Sequence, residues 1–257
     1  DTLVYTFSAT ETINTPGAYN FTAWTTLSGD ANTANDTAWM TLNASGSCYP
    51  RRVLLEEFTN SSSPPDANAN PAYDAFIEAN IDKVASVKYH MSWPGPDPFY
   101  DFNVNDNEAR RNFYAINAVP NVRMDGTTDI HPGSLTQQML DVAEAIPSFV
   151  QLNISESISG GVMNITVTAD IGGVINAPTA IFIAAIENQV FFTGGNGETE
   201  FRQVMRHLLP TSAGTNISVP TTPGQTETVT ASYSIDPSFN VGELRAVAWL
   251  QNLNTLE

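Results

Sequence analysis

Val53-Leu54-Leu55-Glu56-Glu57-Phe58-Thr59-Asn60-Ser61-Ser62-Ser63-Pro64-Pro65-Asp66 is the stretch on which the reading of this chain turns. Residues 52–58 are apolar-rich and read as a short strand. The polar run behind them ends on Pro64, Pro65 and Asp66, residues that open a helix because the first turn needs no proline N–H and favours an acid. Further on, residues 71–80 put Tyr73, Phe76 and Ile77 on one helical face. Residues 83–90 form a second strand, and a polar, proline-bearing loop spans 92–105. A helix is expected from about Asp106 to Asn117, a turn and third strand over 118–126, and a last helix over 135–146. Strands alternating with helices predict an α/β unit with a partly parallel sheet.

On both sides the pattern becomes β. Residues 1–47 alternate apolar and polar positions around a turn-forming run, 28–36, which predicts two strands like the closing half of an immunoglobulin-like sandwich. So short a piece needs upstream strands or a neighbour to pack on. Asp1 leads straight into residues 3–7, which read as a strand already under way, so the chain is expected to be an excerpt of a longer polypeptide. Beyond residue 148, strands are expected over 150–158, 162–169, 179–187, 227–234 and 243–251, with one helical stretch over 200–209 after the Gly-rich loop 193–197. The readings combine into an α+β multidomain chain. Its parts are a partial immunoglobulin-like β segment (1–49), an α/β domain (50–147) and a β-sandwich domain with one helical insert (148–257).

Composition limits what such a chain does. Its 257 residues carry 27 acidic and 10 basic side chains, a net charge of −17. Nucleic acid is excluded as a partner, because phosphate contacts draw on clustered Lys and Arg; anionic membrane surfaces are disfavoured for the same reason. No apolar run approaches the ~20 residues that span a bilayer. Only 14% of residues are charged while 42% are hydrophobic, enough for a sizeable core. The lone cysteine, Cys48, excludes an intrachain disulfide and a cysteine metal cluster; a buried structural thiol is expected, with an intermolecular bridge as the alternative.

The residues quoted at the outset, together with Lys88-Tyr89-His90, Trp93-Pro94-Gly95 and Val119-Pro120 running into Asp125-Gly126, resemble a thioredoxin fold. More narrowly, they resemble the thioredoxin-like domains of secreted and outer-membrane proteins of Bacteroidota. The resemblance covers residues 50–147 and extends weakly through residues 194–206. In that family a Cys-x-x-Cys pair sits at the helix N-terminus, where the dipole and free N–H groups favour a thiolate. Matching the motif puts Ser63 at the first cysteine and Asp66 at the second, with Pro64 and Pro65 between them. Neither a hydroxyl nor a carboxylate supports thiol–disulfide exchange, so a redox-inactive member is implied. The resemblance also places the family's cis-proline at Pro120, beside a remnant peptide groove, and its buried acid at Glu57, whose pKa burial should raise. Family members often end in a type IX secretion sorting domain, expected beyond Glu257.

Other constellations are weaker. Asp30, Asn32, Asn35 and Asp36 offer oxygens suited to calcium but lack EF-hand spacing, so the run reads first as a turn; calcium is the only cofactor considered. Asp97, Asp101, Asp106 and Glu108 form a second acidic loop. No nucleophile elbow occurs, and the three histidines lack zinc spacing. Trp24, Trp39 and Trp249 fall within strand patterns and are expected in the core, which leaves Trp93 as the aromatic free for ligand contact. Asp36-Thr37-Ala38 looks like the O-glycan acceptor motif of secreted Bacteroidota proteins, at Thr37. The expected function is a non-catalytic, extracellular or outer-membrane-surface binding or structural protein of a bacterium. It would take a protein or glycan partner, have no direct membrane span, and form part of a larger surface assembly. The alternative is a thiol-disulfide-related or hydrolytic enzyme whose acidic residues Glu57, Asp66 and Asp97 converge on one cleft.

Overall fold

The computed structural model describes residues 6–7, 17–26, 28–44 and 46–257. The expected strand over residues 3–7 lies outside the described residues except for Thr6 and Phe7. β1 (Gly17–Trp24) and β2 (Thr37–Ala44) pair as an antiparallel hairpin. The chain then enters β3 (Val53–Thr59), α1 (Pro64–Ala79), β4 (Val84–His90), α2 (Pro98–Phe102) and α3 (Val104–Phe113). β5 (Asn121–Met124), β6 (Thr128–Ile130) and α4 (Gln137–Glu144) follow. The remainder is β: β7 (Val150–Ser159), β8 (Val162–Ile171), β9 (Thr179–Phe191), β10 (Glu200–Leu209), β11 (Thr215–Asn216), β12 (Thr226–Ser234) and β13 (Leu244–Asn252). The fold is mixed α+β, mostly sheet.

One sheet organises the described residues. Its order is β13–β9–β10–β4–β3–β5–β6, with β11 continuing the β10 side of β9. β4 is parallel to both β3 and β10, while β5 and β6 run antiparallel. β3 and β4 are buried on both faces, as expected of the central strands of such a sheet. One face packs Val53 and Leu55 against Tyr73 and Ile77 of α1 and Leu140 of α4. Further along, a second sheet, β12–β8–β7, closes over Ile181, Ile183 and Ala185 of β9 with Met163, Ile165 and Val167 of β8. The opposite face holds Phe58, Tyr89, Phe182 and Trp249 against the segment that follows α3.

Two expectations are corrected here. Residues 200–209 form no helix; they are β10, a strand of the central sheet. Phe201, Val204, Met205 and Leu208 fall at i, i+3, i+4 and i+7, a helical spacing by coincidence. The strand loses its period of two because Gln203 adopts φ 48° and a bulge shifts the register between Met205 and His207. Nor do residues 148–257 stand apart as a sandwich with a helical insert. β7, β8 and β12 do make a second layer, but β9, β10 and β13 extend the sheet begun by β3 and β4.

The two halves meet in a buried polar knot. Arg110 of α3 donates from Nε to Glu56 Oε1 (2.6 Å) and from Nη2 to Glu56 Oε2 (2.8 Å) and Gln251 Oε1 (2.6 Å). Tyr89 and Tyr114 donate their hydroxyls to the same carboxylate, at 2.9 and 2.6 Å. The knot joins β3, β4, α3 and β13. Removing one member of a buried charge pair leaves the other desolvated and unpaired, which costs about 3–5 kcal/mol. Arg110→Ala is therefore expected to lower unfolding stability by about 3–5 kcal/mol in urea titrations at neutral pH, whereas a loss under about 1 kcal/mol would show that the pair carries little.

The hairpin attaches more lightly. Ser47 N–H donates to Gly172 O at 2.7 Å, and Tyr49 bridges Ser148. Gly46 (φ 92°) lies so close that a Cβ would fall 1.1 Å from the Gly172 carbonyl oxygen. Trp24 and Trp39 are 67% and 75% exposed, contrary to the expected core placement, because no second layer covers them among the described residues. Trp249 is buried as expected. Cys48, expected as a buried thiol, is exposed.

Candidate functional site

β3 delivers the chain into a tight turn, and α1 begins at Pro64 with Ser63 as its N-cap and Asp66 in its first turn. Ser61, Ser63 and Asp66 are all buried, at 1%, 1% and 0% exposure; Ser62, Pro64 and Pro65 are not. Burial pushes the Asp66 carboxyl above its ordinary value, although Oδ1 accepts from Thr59 Oγ1 (2.6 Å) and Asn60 N–H (3.3 Å).

Two loops cover this turn. From the β4–α2 side, Asn60 Nδ2 donates to Met91 O (2.7 Å) and Gly95 O (2.9 Å). Ser61 N–H donates to Asp97 Oδ2 (2.6 Å), and Ser62 Oγ donates to Pro96 O (2.6 Å). From the β9–β10 side, Asn196 donates its N–H to Ser61 O (3.1 Å) and its Nδ2 to Ser63 O (3.1 Å). Such proximity requires glycine: a Cβ on Gly194 would lie 2.5 Å from Ser61 O, and one on Gly95 would lie 2.8 Å from Ser62 Cβ. Asp97, which the sequence offered as part of an acidic loop and of a cleft with Glu57 and Asp66, is the anchor of the first loop. It also accepts from Phe99 N–H (2.9 Å) and lies 2.8 Å from His90 Nδ1. Burial pushes its carboxyl up, but His90 and the two amides outweigh burial and hold it below the ordinary value.

Glu57 lies on the α1 face of β3, fully buried, with Lys88 Nζ 2.8 Å from Oε2; Lys88 also reaches Asp74 at 2.6 Å. Burial raises the Glu57 pKa from 4.5 to about 7 against the pull of Lys88. Glu57, Asp66 and Asp97 are each buried within a separate set of partners, and no open cleft joins them. Trp93 is half-buried rather than free, with the Arg111 guanidinium 4.8 Å from its ring centre. Pro120 is half-buried at the head of β5, and the Val119–Pro120 bond is cis. In the turn 28–36, Asp30 Oδ1 accepts from Asn32 N–H (2.8 Å) and Asn32 Oδ1 caps the short 3-10 helix Thr33–Asn35. Those oxygens serve the turn, and among the described residues no group of three or more His, Cys, Asp or Glu is placed to hold a metal. Asp36 precedes β2, and Thr37 opens it opposite Trp24. A groove of about 940 Å³ runs between α1 and β7, lined by Ile77, Ile81, Phe149, Ile154 and Gln203; none of residues 61–66 lines it. Arg110 organises the core without having stood out in the sequence, since an isolated Arg carries no motif, and Asn60 and Asn196 stood out only within the resemblance and not for the bonds they make.

No family model matches the chain, and no curated protein matches it. Among solved structures it is similar to HBP35 of Porphyromonas gingivalis, with a TM-score of 0.66 at 14% identity over 81% of this chain and 72% of that one. A protein from Agrobacterium tumefaciens aligns at a TM-score of 0.46 and 14% identity, over 80% of this chain and 96% of its own, and carries no further argument. At 14% identity the first likeness establishes a shared fold.

Two outcomes follow from this geometry. In a Cys48→Ser background, Ser63→Cys is expected to react with a disulfide reagent on the order of 100-fold more slowly than native Cys48, since reaction waits on local opening; equal rates would mean that the turn is open. Glu57 releases its proton near 4.5 when unfolded and near about 7 when folded, so its stabilising contribution is complete below about 4.5 and lost as pH rises through about 7. The stability of Glu57→Gln relative to the unsubstituted protein should therefore rise from pH 5 to pH 8 in urea titrations. A constant difference would contradict the raised pKa.

Proposed function

We propose that this chain is a non-catalytic, surface-associated binding or structural protein of the Bacteroidota type, built on a thioredoxin-like core that has lost its redox pair. The carrying observation is the turn itself: Ser63 and Asp66 stand where the two thiols are implied, both are buried, and two loops bond across them. The strand order β4–β3–β5–β6, with α1 crossing between parallel β3 and β4, supports the thioredoxin-like reading of residues 50–147. The fold shared with HBP35 of Porphyromonas gingivalis, a Bacteroidota protein, supports the group.

An extracellular or outer-membrane-surface location agrees with the acidic balance of 27 acids to 10 bases, which favours solubility and disfavours nucleic acid. Among the described residues no helix is long and apolar enough to cross a membrane. The partner is then a protein or glycan at the cell surface. An insulin-reduction assay tests the loss of redox function: with active thioredoxin alongside, this chain is expected to leave the dithiothreitol background rate unchanged. Measurable turnover would overturn the reading.

A further inference from the structure

The β1–β2 hairpin presents two unlike faces. Directly opposed residues share a face, so Phe21 with Met40 and Ala23 with Ala38 form one side, continued by Leu42. That side is apolar. The other side carries Asn20 with Thr41, Thr22 with Trp39, and Trp24 with Thr37. The 2.8 Å hydrogen bond from Thr41 Oγ1 to Asn20 Oδ1 fixes this assignment.

We infer that the Trp24–Trp39 face binds a neutral oligosaccharide. Each indole is mostly exposed, and neither has an aromatic or hydrogen-bonding partner among the described residues. Trp39 lies two residues beyond Thr37, the partner of Trp24, so the two are diagonal neighbours with Cβ atoms about 7–8 Å apart or somewhat less. A short oligosaccharide can bridge that span. A pyranose offers an apolar C–H face rimmed by hydroxyls, and each indole here has a threonine hydroxyl directly across the ribbon, with Asn20 and Thr41 beyond. Indole supplies a rigid apolar plate; threonine and asparagine supply donors and acceptors without charge.

Charge and composition select this occupant. The six residues of the face carry no charge, in a chain of net −17, so neither an anionic nor a cationic ligand finds a counter-ion on it. An apolar protein surface would match the opposite side, where Phe21, Met40 and Leu42 are exposed in a row. The alternation of indole with hydroxyl suits a ligand that is itself apolar and hydroxylated by turns. This site is separate from the Ser61–Asp66 turn and does not depend on the loss of redox chemistry there.

The test is titration of the full chain, followed by tryptophan fluorescence and calorimetry, with cellohexaose, laminarihexaose, maltohexaose and mannohexaose, and with hexagalacturonate as the charged control. At least one neutral hexasaccharide should bind with Kd below about 1 mM, and the charged control should not. Trp24→Ala and Trp39→Ala should each weaken binding at least about tenfold, a loss of about 1.4 kcal/mol, with urea midpoints unchanged. Phe21→Ala, on the opposite face, should leave affinity unaltered. Failure of all four neutral probes to bind overturns the inference, as does binding that survives the Trp24→Ala/Trp39→Ala double variant. Self-association abolished by that double variant, without glycan binding, would make the face a contact between copies and would overturn it equally.

Discussion

A carboxylate and a guanidinium removed from water hold this fold together. Glu56 and Arg110 are both buried, and each meets the other's charge through two hydrogen bonds, with Tyr89 and Tyr114 completing the carboxylate and Gln251 and Tyr114 sharing Arg110 Nη2. The rings of Phe113, Tyr114, Phe182 and Trp249 stand 4.4 to 5.1 Å from the guanidinium carbon, so the cation also meets the faces of aromatic groups contributed by β9 and β13. Such a pair tolerates little displacement, because separating the two while they stay buried leaves each charge uncompensated. It therefore fixes the position of the C-terminal strands against the strand that begins the α/β unit. Arg206 and Glu187 repeat the arrangement at the other end of β9, bonded at 2.7 Å beside Phe99, Phe102 and Phe239. With Lys88, three of the ten basic side chains lie in the interior, alongside the buried acids Glu56, Glu57, Asp66, Asp97 and Glu187.

The same economy of polar groups appears at the turn after β3. A thiol–disulfide enzyme needs an accessible sulfur at a helix N-terminus, where free N–H groups stabilise the thiolate. Here the neighbouring amides are bonded into the protein, with Ser61 N–H held by Asp97 and Asn60 N–H by Asp66. Gly95 and Gly194 let two loops settle against the turn. The position is a junction where β3, the β4–α2 loop and the β9–β10 loop are pinned to one another.

Much of this was legible in the sequence, for identifiable reasons. The alternation of strands and helices across residues 53–144 shows in its periodicity, and the turn after β3 shows by its residues, Ser61 to Asp66, that it carries no thiol. Glu57 is fully buried, where the resemblance, and not its immediate neighbours, implied a buried acid. β10 was hidden because the positive φ at Gln203 and the bulge between Met205 and His207 mimic helical spacing, a property of the backbone that no composition records. Trp24, Trp39 and Cys48 were misplaced because strand alternation identifies a face without revealing whether anything covers it. The closure of the turn was invisible for a third reason: it depends on Asp97 and Asn196, residues 36 and 135 positions away from Ser61, meeting through the fold.

Residues 53–252 are expected to open as one cooperative body locked through Glu56, Arg110 and Gln251, and native-state hydrogen exchange, measured residue by residue, reads this out. The amides of β3 and β13 should exchange with the same opening free energy, equal to that of global unfolding. Exchange of β13 at a distinctly lower free energy, with β3 still protected, would show that the C-terminal strands open independently and would contradict the account.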